Sequence, residues 1–485
     1  MTLLQKISLI LLLLLGASLR LLDLTDPPLD FQPSRQLRNS LVARNIYISM
    51  LPAATTEQIQ LADSFARSVG KYEPPVIETL VAWSYLLTGG ENYAAPRVFG
   101  TLFWILAAIA LFDLMRRATS TNAALLALAY DLVLPFSVQA SRSFQPDPLM
   151  TSAFVIGIYF LYRWSEQPIW KWALLTAVFF SLATFVKIVI AFFIGAAAVT
   201  LVVFTLGKNF WKSKQVWSMA LIMAAPAFIY YILLNDGRST EYFFAWTLAL
   251  LKLISSPSFY ANWLGFLGSI FGLTALFASL AGAFLAAPRL RVLLASLWVG
   301  YFLYGMTLPF QMYTHTYYHI QLIPIIALGL AAALYPLTES SARQTFVWRG
   351  AFAALAVAVI GYHAYAARSV LLAESFRHEP AFWAQVAEQI PADAKVIALT
   401  QDYGYRLMLF GWRKVSLFPL STELAQVRNG GVDSSARFDD LAAGKDYFLV
   451  TAFGQLDKQP ALKKILAEYP IAAQGDGYVL YQLKK

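Results

Sequence analysis

Residues 3–36 read LLQKISLILLLLLGASLRLLDLTDPPLDFQPSRQ, an apolar run followed at once by an acidic, proline-containing segment. The run from about residue 4 to residue 22 is long enough for an α-helix to cross the hydrocarbon core of a membrane. No small-residue cleavage site precedes the polar segment, which argues against a removed signal peptide. The stretch therefore predicts a membrane span that opens into an acidic loop.

The rest of the chain has the composition of a protein surrounded by lipid. Of its 485 residues, 58% are hydrophobic and 13% are charged, and the mean hydropathy is +0.56. A soluble protein carries roughly 25% charged residues, so these values exclude an ordinary cytosolic enzyme and a disordered chain. Cysteine is absent from the sequence, which excludes disulfides, thiolate zinc sites and a thiol nucleophile.

Apolar runs of membrane-spanning length recur through the first 370 residues. The eleven predicted spans are residues 4–22, 96–115, 121–139, 147–163, 170–187, 188–206, 216–234, 260–287, 292–308, 318–336 and 349–367. The predicted fold class is a polytopic α-helical membrane protein of about 11 spans, with its two termini on opposite sides.

The charges indicate how these spans are oriented. With the N-terminus in the cytoplasm, the predicted inner loops hold 12 basic and 3 acidic residues, as the positive-inside rule requires. The basic residues are Lys6, Arg116, Arg117, Arg163, Lys171, Lys208, Lys212, Lys214, Arg289, Arg291, Arg343 and Arg349. The acidic residues are Asp113, Glu166 and Glu339. The excess, 12 − 3 = 9, equals the whole net charge, 37 − 28 = +9, so no nucleic-acid partner is needed to explain it. We expect a multi-pass inner-membrane protein with a cytoplasmic N-terminus.

A soluble α/β domain is predicted after the last span, outside the cytoplasm. The predicted domains are thus a membrane domain, residues 1–370, with a long outer loop at 23–95, and a C-terminal domain, residues 371–485. In the latter, KVIALT, KVSLFPL, DYFLVTA and GYVLYQL predict strands, and residues 379–390 and 460–469 predict helices. Its glycines form no nucleotide-binding motif, so no nucleotide cofactor is expected.

Two amphipathic helices are predicted in the outer loop, at residues 35–50 and 74–90. Their apolar spacing is typical of helices lying in the membrane interface. Acidic residues collect at the same outer boundary, and ionisable groups there are candidates for function. Those singled out are Asp30, Glu73 and Asp147.

Asp30 lies between two prolines, with Arg35 and Arg38 just beyond it. Such a carboxylate can act as a base while the cations hold a phosphate, although capping of the turn explains it equally well. Asp131 falls well inside the third predicted span, where we expect structural pairing or protonation.

The order of these motifs resembles the GT-C glycosyltransferases, and within them the protein O-mannosyltransferase and lipid A aminoarabinose transferase group. The resemblance covers about the first 340 residues. The motifs are DPPLDFQPSRQ (26–36), YEPP (72–75), APRVFG (95–100), RSFQPDPLM (142–150) and YYHIQLIPIIALGL (317–330).

The resemblance implies inverting transfer of a sugar from a polyprenyl-phosphate donor to a hydroxyl of a protein, lipid or glycan acceptor. It implies that Asp30 is the catalytic base, with Glu73 and Asp147 as further catalytic acidic residues. Candidate phosphate ligands near the outer face are Arg35, Arg38, Lys71, Arg97, Arg142 and Lys187. Pro74 stands where the transferase group often has a lysine, and Lys71 is its candidate substitute.

Metal dependence is left open by the sequence. The loop after the seventh predicted span lacks the histidine that family members tend to carry there, so Glu73, His315 and His319 are the candidate ligands of a divalent metal. The alternative function is a lipid or sugar transporter or flippase. That class usually has repeated halves and interrupted midplane helices, and we find no internal repeat.

Overall fold

The computed structural model of the chain describes residues 1–234, 244, 247–342, 345–422 and 434–484. Most of the loop after the seventh predicted span, and Arg343 of a predicted inner loop, therefore lie outside the described residues. The described chain forms two compact units: Met1–Thr25 with Gly70–Glu374, and Asp26–Val69 with Ser375–Lys485.

Helices dominate the described residues. In chain order they are α1 (Leu3–Arg20), α2 (Pro33–Met50), α3 (Thr56–Val69), α4 (Val76–Thr88), α5 (Ala94–Ala118), α6 (Thr121–Val133), α7 (Pro135–Arg142), α8 (Asp147–Glu166), α9 (Trp170–Val186), α10 (Ala191–Leu206), α11 (Lys214–Phe228), α12 (Pro257–Phe271), α13 (Leu273–Leu285), α14 (Pro288–Thr307), α15 (Leu322–Ala342), α16 (Phe346–Leu371), α17 (Glu379–Glu388), α18 (Tyr405–Gly411), α19 (Phe438–Ala442), α20 (Phe453–Leu456) and α21 (Pro460–Leu466). The strands are β1 (Val396–Leu399), β2 (Ser416–Leu417), β3 (Tyr447–Val450), β4 (Ile471–Gly475) and β5 (Tyr478–Gln482).

The helices of the first unit confirm the prediction of a helical membrane protein with several spans. Among the described residues, seven helices are long and apolar enough to cross a membrane, or up to nine if each of two bent pairs is one span. The prediction of eleven also counted α8 and α9, which do not meet that criterion. Every predicted run nevertheless contains a helix, so the difference lies in how each helix is classified.

Two predicted spans are broken, and local chemistry explains both breaks. The helices α6 and α7 meet at 60°, where Pro135 removes a main-chain donor. The helices α12 and α13 meet at 100° around Gly272. The φ of this residue is +79°, a backbone conformation that glycine adopts more readily than other residues. The predicted division near Lys187 is confirmed, because the main chain is extended there between α9 and α10.

Close helix packing in this unit depends on small side chains. At Gly282 of α13, an added Cβ would lie 2.0 Å from the main-chain oxygen of Gly329 in α15. Small residues at such contacts let membrane helices approach closely. Asp131 of α6 is buried and accepts a hydrogen bond from Nε1 of Trp104 at 3.2 Å, which fits the expected structural pairing.

The second unit contains a five-stranded mixed sheet in the order β2-β1-β3-β5-β4. The strands β2, β1 and β3 are parallel, whereas β5 runs antiparallel to both β3 and β4. The four predicted strands and the two predicted helices are confirmed, with shorter bounds. The sequence did not predict β4, because the segment IAAQG is largely exposed and lacks an apolar alternation.

The helix predicted at residues 35–50 is confirmed as α2, but its apolar side packs on protein instead of lying exposed in the interface. Leu37 and Leu41 of α2 pack with Phe65 of α3 and with Met408 and Leu409 of α18. The helix α3 was not predicted from the sequence.

Acid should weaken the end of this sheet at which β1 and β3 begin. The Lys484 ammonium, 2.5 Å from Oδ1 of Asp446, and the main-chain N–H of Lys395, 2.7 Å from Oδ2, hold the pKa of that carboxyl below its usual range. A lowered folded-state pKa stabilises above the unfolded-state value, and the stabilisation is lost as pH falls through the folded-state pKa. We expect Asp446→Asn to speed amide exchange in β1 and β5 at about pH 7, and the difference from wild type to shrink as the pH falls below about 3.9, the ordinary pKa of an aspartate. Hydrogen exchange read by mass spectrometry, comparing both proteins at each pH, checks this; a constant difference would contradict it.

Candidate functional site

The first part of the candidate site is built at the start of α8. The helix α7 ends at Arg142, and a short turn follows in which the main-chain N–H of Gln145 donates to the oxygen of Ser143 at 2.8 Å. Asp147 then opens α8, where its negative charge interacts favourably with the helix dipole. Its side chain is almost completely buried, with 3% of the residue exposed.

Lys187 neutralises Asp147. Its Nζ donates to Oδ1 of Asp147 at 2.8 Å, and it also lies 5.1 Å and 5.3 Å from the ring centroids of Tyr317 and Tyr318. Lys187 reaches this position because the extended backbone between α9 and α10 places it between helices. A lysine and a carboxylate removed from water must be paired, since either charge alone is costly to bury.

Two buried arginines meet nearby in the same unit. Nη1 of Arg97 donates to the main-chain oxygens of Asp23 and Leu24, at 3.3 Å and 2.9 Å. Nη2 of Arg142 donates to the same Asp23 oxygen at 3.2 Å. The two guanidinium groups therefore lie side by side just beyond the end of α1, an arrangement whose charge and donors suit a phosphate.

The carboxylate of Asp30 belongs to the second unit. It lies in the turn before α2, half-buried, and its Oδ1 accepts a hydrogen bond from Nε2 of Gln36 at 3.0 Å. The same Gln36 amide donates to the main-chain oxygen of Phe31 at 2.7 Å, which fixes its orientation. Gln32, at φ 50°, adopts the left-handed conformation that turns the chain into α2. Asp30 is thus held by its neighbours in a defined position.

The remaining predicted residues are distributed over both units. Arg35 and Arg38 lie in the first turns of α2, with Arg38 the more deeply buried. Glu73 is half-buried in the segment before α4, and Lys71 is exposed beside it. Their roles as site residues stay predictions.

The candidate metal ligands are not gathered together. No group of three or more histidine, aspartate or glutamate side chains suited to a metal occurs within the described residues. His319 is buried, with Nδ1 at 2.8 Å from the Tyr301 hydroxyl and Nε2 at 3.1 Å from the main-chain oxygen of Met312. Both ring nitrogens are thereby engaged, so His319 fits a structural role. His315 contacts the Thr314 hydroxyl at 2.7 Å.

Sequence reasoning did not recognise how Asp147 is paired. The structure pairs Asp147 with Lys187, which the sequence placed only among the candidate phosphate ligands. The available signal was a lone lysine between two apolar runs, because such a charge requires a partner. Gln145 also went unnoticed, since a glutamine in a turn carries no pattern of its own.

Comparisons with known proteins agree with this architecture. The family model described as dolichyl-phosphate-mannose-protein mannosyltransferase matches residues 72–233, a segment that contains Glu73, Arg97, Arg142, Asp147 and Lys187. No curated protein sequence matches the chain.

Two solved structures share the fold at low sequence identity. ArnT from Cupriavidus metallidurans, bound to undecaprenyl phosphate, has 15% identity and a TM-score of 0.59, with 97% of each chain covered. The archaeal oligosaccharyltransferase AglB from Archaeoglobus fulgidus, in complex with an inhibitory peptide and a dolichol-phosphate, has 12% identity and a TM-score of 0.59. That match covers 92% of this chain and 69% of AglB. These findings confirm the resemblance predicted from the sequence: the chain has the fold of the GT-C membrane glycosyltransferases.

Proposed function

We propose that this protein is an integral membrane glycosyltransferase that moves a sugar from a polyprenyl-phosphate donor to an acceptor hydroxyl on the extracytoplasmic face. The observation that carries the proposal is the pair of buried arginines, Arg97 and Arg142, that meet at the Asp23 oxygen. Its setting is a fold shared with ArnT, which was solved with undecaprenyl phosphate bound. A polyprenyl phosphate needs both an apolar surface for its chain and cations for its headgroup.

The reaction requires two contributions from the protein, a base and a group of cations. Asp30 takes the proton of the acceptor hydroxyl, and the oxygen attacks the anomeric carbon of the sugar. The bond from that carbon to the phosphate oxygen breaks, and polyprenyl phosphate leaves with the electron pair. Arg97 and Arg142 offset the charge of this leaving group. A single displacement of this kind inverts the configuration of the anomeric carbon.

The other predicted residues have supporting roles in this scheme. Arg35, Arg38 and Lys71 are further candidates for the phosphate, and Glu73 and Asp147 are further acidic residues of the site. Lys187 offsets the charge of Asp147, because its ammonium lies 2.8 Å from the carboxylate. The inner-loop excess of basic residues supports the orientation that places the C-terminal domain outside.

Removing either arginine should weaken binding of the donor. A hydrogen bond to a charged group contributes about 1.5–3 kcal/mol, so we expect Arg97→Gln and Arg142→Gln each to raise the KM for the donor roughly 10- to 100-fold. The measurement is release of polyprenyl phosphate from a labelled sugar donor by purified protein, with membrane extract supplying acceptors. Arg291→Gln, at an exposed position of α14, is the matched control and should behave as wild type.

Three outcomes of this assay contradict the proposal. One is an unchanged KM in both arginine variants, which removes their role in holding phosphate. Another is the absence of sugar transfer by the wild-type protein from every polyprenyl-phosphate donor supplied. The third is flux of intact labelled lipid across liposomes without consumption of donor, which would indicate a flippase.

A further inference from the structure

Gln145 presents a buried amide with unused hydrogen-bonding capacity. Only 1% of the residue is exposed, yet neither Oε1 nor Nε2 has a hydrogen-bond partner among the described residues. Buried polar atoms are nearly always hydrogen-bonded, because taking them from water without a replacement is unfavourable. Within the described residues this amide lacks both kinds of partner, so its donor and its acceptor are left for water or for a ligand that supplies both.

The turn that carries Gln145 is held firmly. Its N–H donates to the oxygen of Ser143, and the N–H of Met150 in α8 donates to the oxygen of Pro146 at 3.0 Å. Pro146 and Pro148 restrict the backbone on either side of Asp147. The amide is consequently presented from a stiff turn, two residues before an acidic residue of the candidate site.

Asp147 has unused capacity on the same turn. Its Oδ1 is taken by Lys187, whereas Oδ2 is buried without a hydrogen-bond partner among the described residues. The unpartnered atoms are Nε2 of Gln145, which donates, and Oε1 of Gln145 and Oδ2 of Asp147, which accept. Neighbouring hydroxyl groups of a ligand could hydrogen-bond with all three. A hydroxyl both donates and accepts, so two adjacent hydroxyls can satisfy one primary amide.

Further along α8, two more unpartnered side-chain atoms line a separate cavity. The hydroxyls of Thr151 and Ser152 line a cavity with Asp131 and Trp104 whose volume, about 10 Å³, admits no more than one water. That space cannot take a sugar ring, so these hydroxyls are not part of the inference.

We infer that Gln145 recognises the sugar of the donor by hydrogen bonds to two of its adjacent hydroxyls, and so helps to set sugar specificity. The inference rests on the proposed function and concerns the same reaction. The phosphodiester of the donor offers only acceptors, so it could satisfy Nε2 but not Oε1. A polyol satisfies both atoms, which is why the amide is assigned to the sugar and not to the phosphate.

The test compares two lipids that differ only in the sugar. Undecaprenyl phosphate and undecaprenyl phosphate mannose, with the glucose form as a further probe, are titrated into detergent-purified full-length protein. We expect Gln145→Met, which keeps the length of the side chain, to bind undecaprenyl phosphate as wild type does. Its affinity for a sugar-bearing lipid that wild type binds should fall about 10- to 100-fold, the effect of losing two hydrogen bonds to a ligand.

Two further variants keep the result interpretable. Gln145→Glu retains the shape and an acceptor but loses the donor, so it should also lose affinity for the sugar-bearing lipid. Gln167→Met, at the exposed C-terminal end of α8, should change neither affinity. Melting temperatures of all variants report whether the fold is kept, and retained binding of undecaprenyl phosphate reports it independently.

The outcomes separate this inference from the proposed function. If the Gln145 variants bind both lipids as wild type does, the amide faces water only and the inference is overturned. If they lose both lipids equally, Gln145 acts on the phosphate or on the fold, which also overturns it. If wild type binds neither lipid, the proposed function itself fails and the inference fails with it.

Discussion

Asp30→Asn should slow sugar transfer by orders of magnitude while the protein still folds and still binds the lipid-phosphate donor. The asparagine amide has nearly the same shape but cannot accept the proton of the acceptor hydroxyl. General-base catalysis contributes about 10²- to 10⁴-fold, so we expect kcat to fall by that factor. The change is measured as product formed per unit time at saturating donor, together with donor affinity by titration.

The control for Asp30→Asn is chosen within the same unit. Asp63→Asn removes an equal charge from α3, where Asp63 pairs with Arg67 at a solvent-exposed position. It should leave kcat unchanged. Gln36→Leu removes the hydrogen bond that orients Asp30 but leaves the base in place, so it should lower kcat less than Asp30→Asn does. Full activity in Asp30→Asn would show that the carboxylate only caps its turn, the explanation that the sequence left equally open.

Lys187→Met should be the most destabilising single substitution at the candidate site. It leaves the Asp147 carboxylate buried without its ammonium partner, and breaking a buried ion pair in this way costs about 3–5 kcal/mol. The double variant Asp147→Asn, Lys187→Met removes both charges and should recover most of that free energy of unfolding. It should not recover activity if Asp147 serves the reaction.

Unfolding midpoints in a mixed-detergent titration measure these differences. Lys208→Met, at an exposed lysine after α10, provides the control and should unfold as wild type does. Equal stability of wild type and Lys187→Met would mean that the carboxyl does not need the ammonium. The same stability in the single and the double variant would mean that the two side chains do not act as a pair.

How much of the fold follows from the sequence depends on the range of the contacts involved. Apolar runs and strand alternation are local patterns, so each predicted run contains a helix and the four predicted strands are present. The break before Pro135 also has a local cause, but the sequence of the run 121–139 stays apolar across it. The strand β4 is mostly exposed and only Ala473 packs on the core of the sheet, so its pattern was missed.

The sequence proposed candidate site residues but did not show which of them contact one another. Asp147 and Lys187 are 40 positions apart, and the helical phase that brings them together is set by packing between α8, α9 and α10. The convergence of Arg97 and Arg142 depends on a main-chain oxygen, which no side-chain pattern reveals. Residues 26–69, predicted as an outer loop of the membrane domain, are grouped by their contacts with residues 375–485. Short-range spacing could not show this, since the contacts join α2 to α18.

The most direct test of the central claim is the conversion of a polyprenyl-phosphate sugar by the purified protein, followed by nuclear magnetic resonance of the product. We predict that wild type releases polyprenyl phosphate only when acceptor is present, that the anomeric configuration of the product is inverted, and that Asp30→Asn forms product about 10²- to 10⁴-fold more slowly. Retained configuration, or equal turnover by wild type and Asp30→Asn, would contradict the account.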